Sequence, residues 1–202
     1  MKPAVINWRW LLRLAGILLL SGCKLTSTDV EPALPSVSAS GSAMLVYRAN
    51  GVPVVANNST NLGTIIAIFF GDPRAVTAKL TAGNSLRLFA SDVQNQPAGY
   101  LTHSLILELS GFQGLGTYSL LPASPTAYPA TYYQLTTYDS AGHPVDHAEQ
   151  YPVASAPAQV TVTAWDATSR HLVGTFEVSV AGPNNPQSPT RLTEGAFDVT
   201  VD

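Results

Sequence analysis

Four stretches of the chain alternate apolar and polar side chains with a period of two, and this constrains the fold more than any other feature. Leu105, Leu107 and Leu109 are set against Ser104, Glu108 and Ser110. Val160, Val162 and Ala164 are set against Thr161 and Thr163, and Phe176, Val178 and Val180 against Thr175, Glu177 and Ser179. Phe197, Val199 and Val201 are set against Asp198 and Thr200. Successive strand residues point to opposite faces, so each segment predicts a strand with one face on a core and one in water.

Short apolar runs recur from Met44 onward, broken by Gly, Pro, Asn and Asp clusters at intervals of about ten to fifteen residues, the rhythm of an antiparallel sandwich or barrel. Ile65 to Phe70 is apolar throughout and too short for a helix, which predicts a strand buried on both faces. Further strands are expected near 44–48, 52–56, 75–81, 85–91, 116–121, 130–138 and 145–151. Turn chemistry separates them at Ala49-Asn50-Gly51, Ala82-Gly83-Asn84, Ser140-Ala141-Gly142 and Asp166 to Arg170. The expected fold is all-β: a single antiparallel β-sandwich, immunoglobulin-like or jelly-roll-like, over residues 43–202.

Composition removes other classes. Only 11% of the 202 residues are charged and 46% are hydrophobic, the reverse of a disordered polyelectrolyte. The formal charge of -3, with no Lys/Arg stripe, excludes a nucleic-acid partner. Fifteen Gly and fifteen Pro without a three-residue period exclude collagen and disfavour long helices.

The N-terminus reads as an address. Lys2, Arg9 and Arg13 precede the apolar run Leu14 to Leu20, which ends in Ser21-Gly22-Cys23. That order is a secretory signal; as a membrane span it falls short of the roughly 20 apolar residues needed. Leu20, Ser21, Gly22 and Cys23 also resemble a bacterial lipobox, which implies cleavage before Cys23 and a lipid on its thiol. Cys23 is the only cysteine, so its acylation would leave no thiol for disulfide, metal or nucleophile. Two or three acyl chains, as on bacterial lipoproteins, would hold the protein durably on a membrane.

Removing residues 1–22 leaves seven basic against thirteen acidic groups, a net charge of −6. Lys24, in place of the Asp that retains lipoproteins in the inner membrane, points to the outer membrane. Surface-exported lipoproteins of Bacteroidetes resemble one another in an acidic cluster just after the cysteine; here Asp29 and Glu31 come late, and that departure implies the periplasmic face. Residues 24–42 hold Pro32, Pro35 and many Ser/Thr without apolar period, and predict a tether reaching roughly 25 Å.

Val160 to Asp166, Leu172-Val-Gly-Thr-Phe176, a variable loop at 182–190, and Leu192-Thr-Glu-Gly-Ala-Phe-Asp198 resemble the closing motif of small Bacteroidetes lipoproteins of unknown function. Tyr47 to Pro53 is similar to that family's opening strand and turn, and Gly116-Thr-Tyr118 to its middle element. The resemblance implies an all-β domain on a lipid anchor and supplies no catalytic residue. In the motif, Gly174 is expected where a strand bends or a backbone approaches, Gly195 at a turn or bulge, and Phe176 and Phe197 in the core.

Chemistry-bearing residues are few. His143, Asp146, His147 and Glu149, with Asp139 nearby, form the densest titratable cluster, the candidate for a hydrolase or metal site. Pro144 excludes a ligand helix there, and Asp139 to Pro144 reads better as a solvated hairpin loop, so no metal and no cofactor is expected. Asp139-Ser140-Ala141 resembles the O-glycosylation acceptor motif of exported Bacteroidetes proteins, which makes Ser140 a candidate acceptor. Tyr132, Tyr133 and Tyr138, with Tyr128 and Tyr151, are candidates for a platform that stacks a glycan or peptide. Gly111 to Gly116 has glycine-loop spacing without a following helix or Lys, hence a turn. No Gly-x-Ser-x-Gly or His-Glu-x-x-His is present. The expectation is a noncatalytic outer-membrane lipoprotein, structural or binding, with an envelope protein or a glycan as partner.

Overall fold

Local turn chemistry starts the sheet. Asn50 and Gly51 hold φ of 49° and 86°, the type I′ pattern whose twist matches the strands it joins. They link β1 (Met44–Ala49) to β2 (Val52–Asn57). Gly83 and Asn84 turn β3 (Val76–Thr81) into β4 (Ser85–Gln96), again with positive φ. Between β9 (Ala158–Asp166) and β10 (His171–Gly182), the Asp166 carboxylate accepts from the Thr168 amide at 2.8 Å and the Ser169 hydroxyl at 2.7 Å. Those bonds close an Asx turn.

The computed structural model describes residues 32–37, 43–58, 74–81, 83–120, 131–153, 156–183 and 185–202. Among them the chain is all-β. The remaining strands are β5 (Gly99–Leu109), β6 (Gly116–Ser119), β7 (Tyr132–Asp139), β8 (Pro144–Pro152) and β11 (Asn185–Thr200). The tether positions 32–37 carry no regular secondary structure. The expected strand at 65–70 and the lipobox lie outside the described residues.

The eleven strands form one antiparallel sheet folded over into a β-sandwich. One layer runs β2-β1-β11-β10-β9-β6 and the other β8-β7-β5-β4-β3. β10 joins them: His171 to Val178 pair with β9, whereas Val180 and Ala181 pair with β8. Opposite this corner, β3 meets the chain end through a single parallel bridge, Ala78 with Val201, and no barrel closes. The core between the layers includes Leu45, Leu88, Leu107, Leu172, Leu192 and Phe197, all at most 1% exposed.

The predicted alternation holds for Leu105, Leu107, Leu109, Phe176, Val178, Val180, Phe197, Val199 and Val201, which are all buried. It breaks where strands bulge or where an outer face is covered. Val173 opposes Ala164 but Gly174 opposes Val162, so Thr163 is extra. The bulge reverses the phase, exposing Ala164 and bringing Trp165 against the core. Ser179, expected outside, is buried because the segment before β9 crosses it, with backbone bonds to Val153 and Pro157. Ser104 is buried against Ser91. Asp198 is fully buried, with the His171 Nε2 at 2.5 Å. The loop expected at 182–190 is short instead: β10 ends at Gly182 and β11 begins at Asn185.

The closing motif is a reciprocal interlock. Gly174 opposes Phe197, Thr175 opposes Ala196, and Phe176 opposes Gly195. A Cβ on Gly174 would lie 2.4 Å from the Phe197 ring, and one on Gly195 would lie 2.6 Å from the Phe176 ring. Each glycine leaves the space that the opposite ring fills. Beside it β11 bulges, with Glu194 at φ 53° and its carboxylate 3.0 Å from the buried Arg48 Nε.

Candidate functional site

β8 departs most from an ordinary core strand. Residues 144–149 are all exposed, because β8 runs past the end of β10 and only its last two residues reach the corner. Period-two geometry puts His147, Glu149 and Tyr151 in a row on one face. The Tyr151 hydroxyl donates to the Glu149 carboxylate at 2.6 Å, which fixes the ring beside the acid. Gly182, Pro183 and Asn185 from the β10–β11 turn complete a groove of about 320 Å³ with this row. A ring, a carboxylate, an imidazole and an amide thus line one open depression, which suits reversible binding of a polar or cationic group.

The turn that delivers β8 is built by Asp139. Its carboxylate accepts from the amides of His143 at 2.8 Å and Ala141 at 2.9 Å, and stands 3.3 Å from the His143 Nδ1. The backbone bond from His143 leads the contributions that hold the Asp139 carboxyl below its ordinary range. Ser140 is exposed at the tip of this turn.

A second polar group lies inside the sandwich. His103 and Tyr133 project from β5 and β7 into the core, with His103 Nδ1 at 2.6 Å from the Tyr133 hydroxyl. Burial lowers the His103 pKa to about 4, so the imidazole is neutral at pH 7. Its Nε2 has no hydrogen-bond partner among the described residues. Tyr47 meets Tyr133 edge to face at 6.3 Å, and Asp92 stands opposite His103 across β4 and β5. Burial also raises Asp92, Tyr133 and Tyr47 above their ordinary values.

A second depression, also about 320 Å³, lies at the β11 bulge, where Gln159, Thr161, Thr175, Glu177 and Glu194 line it. Glu194 is committed there to Arg48.

The tyrosines expected to form one platform are divided by the strand period. Tyr133 is fully buried in the core, whereas Tyr132 and Tyr138 lie on the opposite face of β7, and Tyr138 pairs across β5 with Tyr100. Tyr128 lies outside the described residues, as do Leu20, Ser21, Gly22 and Cys23. Tyr151 stands apart in the β8 groove. His143 and His147 are not joined in one site: the first is in the turn with Asp139, the second in the groove. Among the described residues no group of three His, Cys, Asp or Glu side chains is arranged to hold a metal ion.

Sequence reasoning missed the inner cluster, although its signal was present. His103 has the parity of Leu105, Leu107 and Leu109, and Tyr47 that of Leu45. The partners Gly182, Pro183 and Asn185 had no comparable signal, since only the β10–β8 corner brings them to Tyr151. No family model, curated protein or solved structure matches the chain.

Proposed function

We propose that this protein is a lipid-anchored lipoprotein of the bacterial outer membrane, on its periplasmic face, whose β-sandwich is a noncatalytic structural or binding module. The observation that carries the reading is Leu20-Ser21-Gly22-Cys23 at the end of an apolar run, followed by a Ser- and Pro-rich stretch before the first strand. The closing motif's resemblance to small Bacteroidetes lipoproteins supports the same assignment. The ionisable groups His103, Tyr133 and Tyr47, whose pKa values are strongly shifted, are buried among core side chains and away from both open grooves, so binding suits the surface better than turnover. Labelled palmitate should enter the protein and co-purify with outer membranes. Cys23→Ala should abolish both. Undiminished labelling of that variant, or a native protein found only in the soluble fraction, contradicts the anchor.

The groove at Tyr151, Glu149, His147 and Asn185 favours a binding role over a purely structural one. It replaces the divided Tyr132, Tyr133 and Tyr138 platform as the place where a polar ligand would meet an aromatic ring.

A further inference from the structure

The open edge of β8 and the groove at its end have complementary properties. β8 is bonded to β7 from Pro144 to Gln150, but to β10 only at Tyr151 and Pro152. On that second side, residues 144–150 have no strand neighbour among the described residues. Alternate amides and carbonyls of this stretch therefore have no strand to bond to among the described residues, as on a sheet edge. Val145 is 67% exposed. Proteins usually guard such an edge with lysine, proline or a bulge. Here Pro144 and a bulge between Thr137 and Tyr138 blunt only its first residues.

Charge decides which occupant fits. Between Arg87 and Arg170 the chain contains no Lys or Arg, but six carboxylates: Asp92, Glu108, Asp139, Asp146, Glu149 and Asp166. Three of the six, Asp139, Asp146 and Glu149, belong to the β7–β8 hairpin. The edge thus carries acids and no base other than His143 and His147. At its end, Glu149 and the Tyr151 ring line a groove large enough for one long side chain. A carboxylate beside an aromatic ring receives a guanidinium or ammonium through an ion pair and a cation–π contact.

We propose that β8 binds an extended cationic polypeptide by strand addition, with main-chain bonds along residues 144–150 and one Lys or Arg side chain in the Glu149–Tyr151 groove. This rests on the reading of the sandwich as a binding module, and is independent of the anchor at Cys23. Main-chain pairing supplies affinity in this mode, and the groove selects the side chain.

The test uses the full chain in a neutral detergent and three heptapeptides: alternating Val and Lys, the same with Glu for Lys, and the Lys peptide N-methylated at alternate residues. The Lys peptide should slow exchange of those amides of residues 145–150 that face away from β7 by about tenfold or more at ~1 mM. The Glu and N-methylated peptides should leave exchange unchanged. Glu149→Gln, which is exposed and keeps an acceptor for Tyr151, should weaken the Lys peptide several-fold and leave the fold intact. No protection by the Lys peptide, equal protection by the Glu or N-methylated peptide, or protection confined to another strand overturns the proposal. Concentration-dependent protection of 144–150 without peptide also overturns it, because a second copy would then own the edge. Palmitate labelling of the same preparation reads the anchor separately, so either idea can fail alone.

Discussion

Single residues at the closing motif carry a large share of the fold's specificity. Gly174 and Gly195 are needed for the volume they leave to Phe197 and Phe176. Gly174→Ala and Gly195→Ala should each lower unfolding stability by about 1–3 kcal/mol through overpacking, as read by denaturant melts. Gly174→Ala combined with Phe197→Leu should be less destabilised than the two single changes summed. Additivity would contradict the interlock. His103 supplies a second prediction. Its pKa is 6.5 in the unfolded chain and about 4 in the fold, so below pH 6.5 the unfolded state takes up more protons. Stability should be highest above pH 6.5 and decline by up to roughly 3 kcal/mol as pH falls to about 4. His103→Gln should flatten that decline in melts run across the same range. The raised Tyr47 and Tyr133 act at the other end: the fold should lose stability as pH rises past 10, where only the unfolded phenols ionise.

Strands were legible wherever one face is wet, because period two records the burial of alternate residues directly. β5, β10 and β11 show this, as do the Asn50-Gly51 and Asp166 turns. What alternation could not convey is a bulge or a covered outer face. Thr163 as an extra residue inverts Ala164 and Trp165, and Asp198 has a polar residue's parity yet is buried against His171. The Tyr-rich segment illustrates the same limit: Tyr132 and Tyr133 are adjacent in sequence and on opposite faces in the sheet. Among the turns, Asp139 carries the β7–β8 hairpin. Asp139→Ala removes the carboxylate oxygen that accepts from two amides in an exposed turn, and should lower the denaturant midpoint slightly. It should also speed amide exchange at Ala141 and His143. Unchanged exchange at both would remove Asp139 from that role.

At the scale of the whole molecule, the β10 corner makes one sheet into two layers and brings the β10–β11 turn to β8. A sequence pass cannot see that juxtaposition, since Asn185 and Tyr151 are linked only through pairing at Val180 and Ala181. The reading of the N-terminus as an address rests on local chemistry alone: a charged start, an apolar run, and Leu20 to Cys23. With the sandwich, the proposed anchor would give an acidic, thiol-free domain displayed from a membrane through Cys23. Intact-mass spectrometry of the purified protein tests this most directly. The account predicts a chain beginning at Cys23, heavier than residues 23–202 by a diacylglycerol group with or without one further acyl chain. A mass matching an unmodified chain, or one that begins at any other residue, would contradict it.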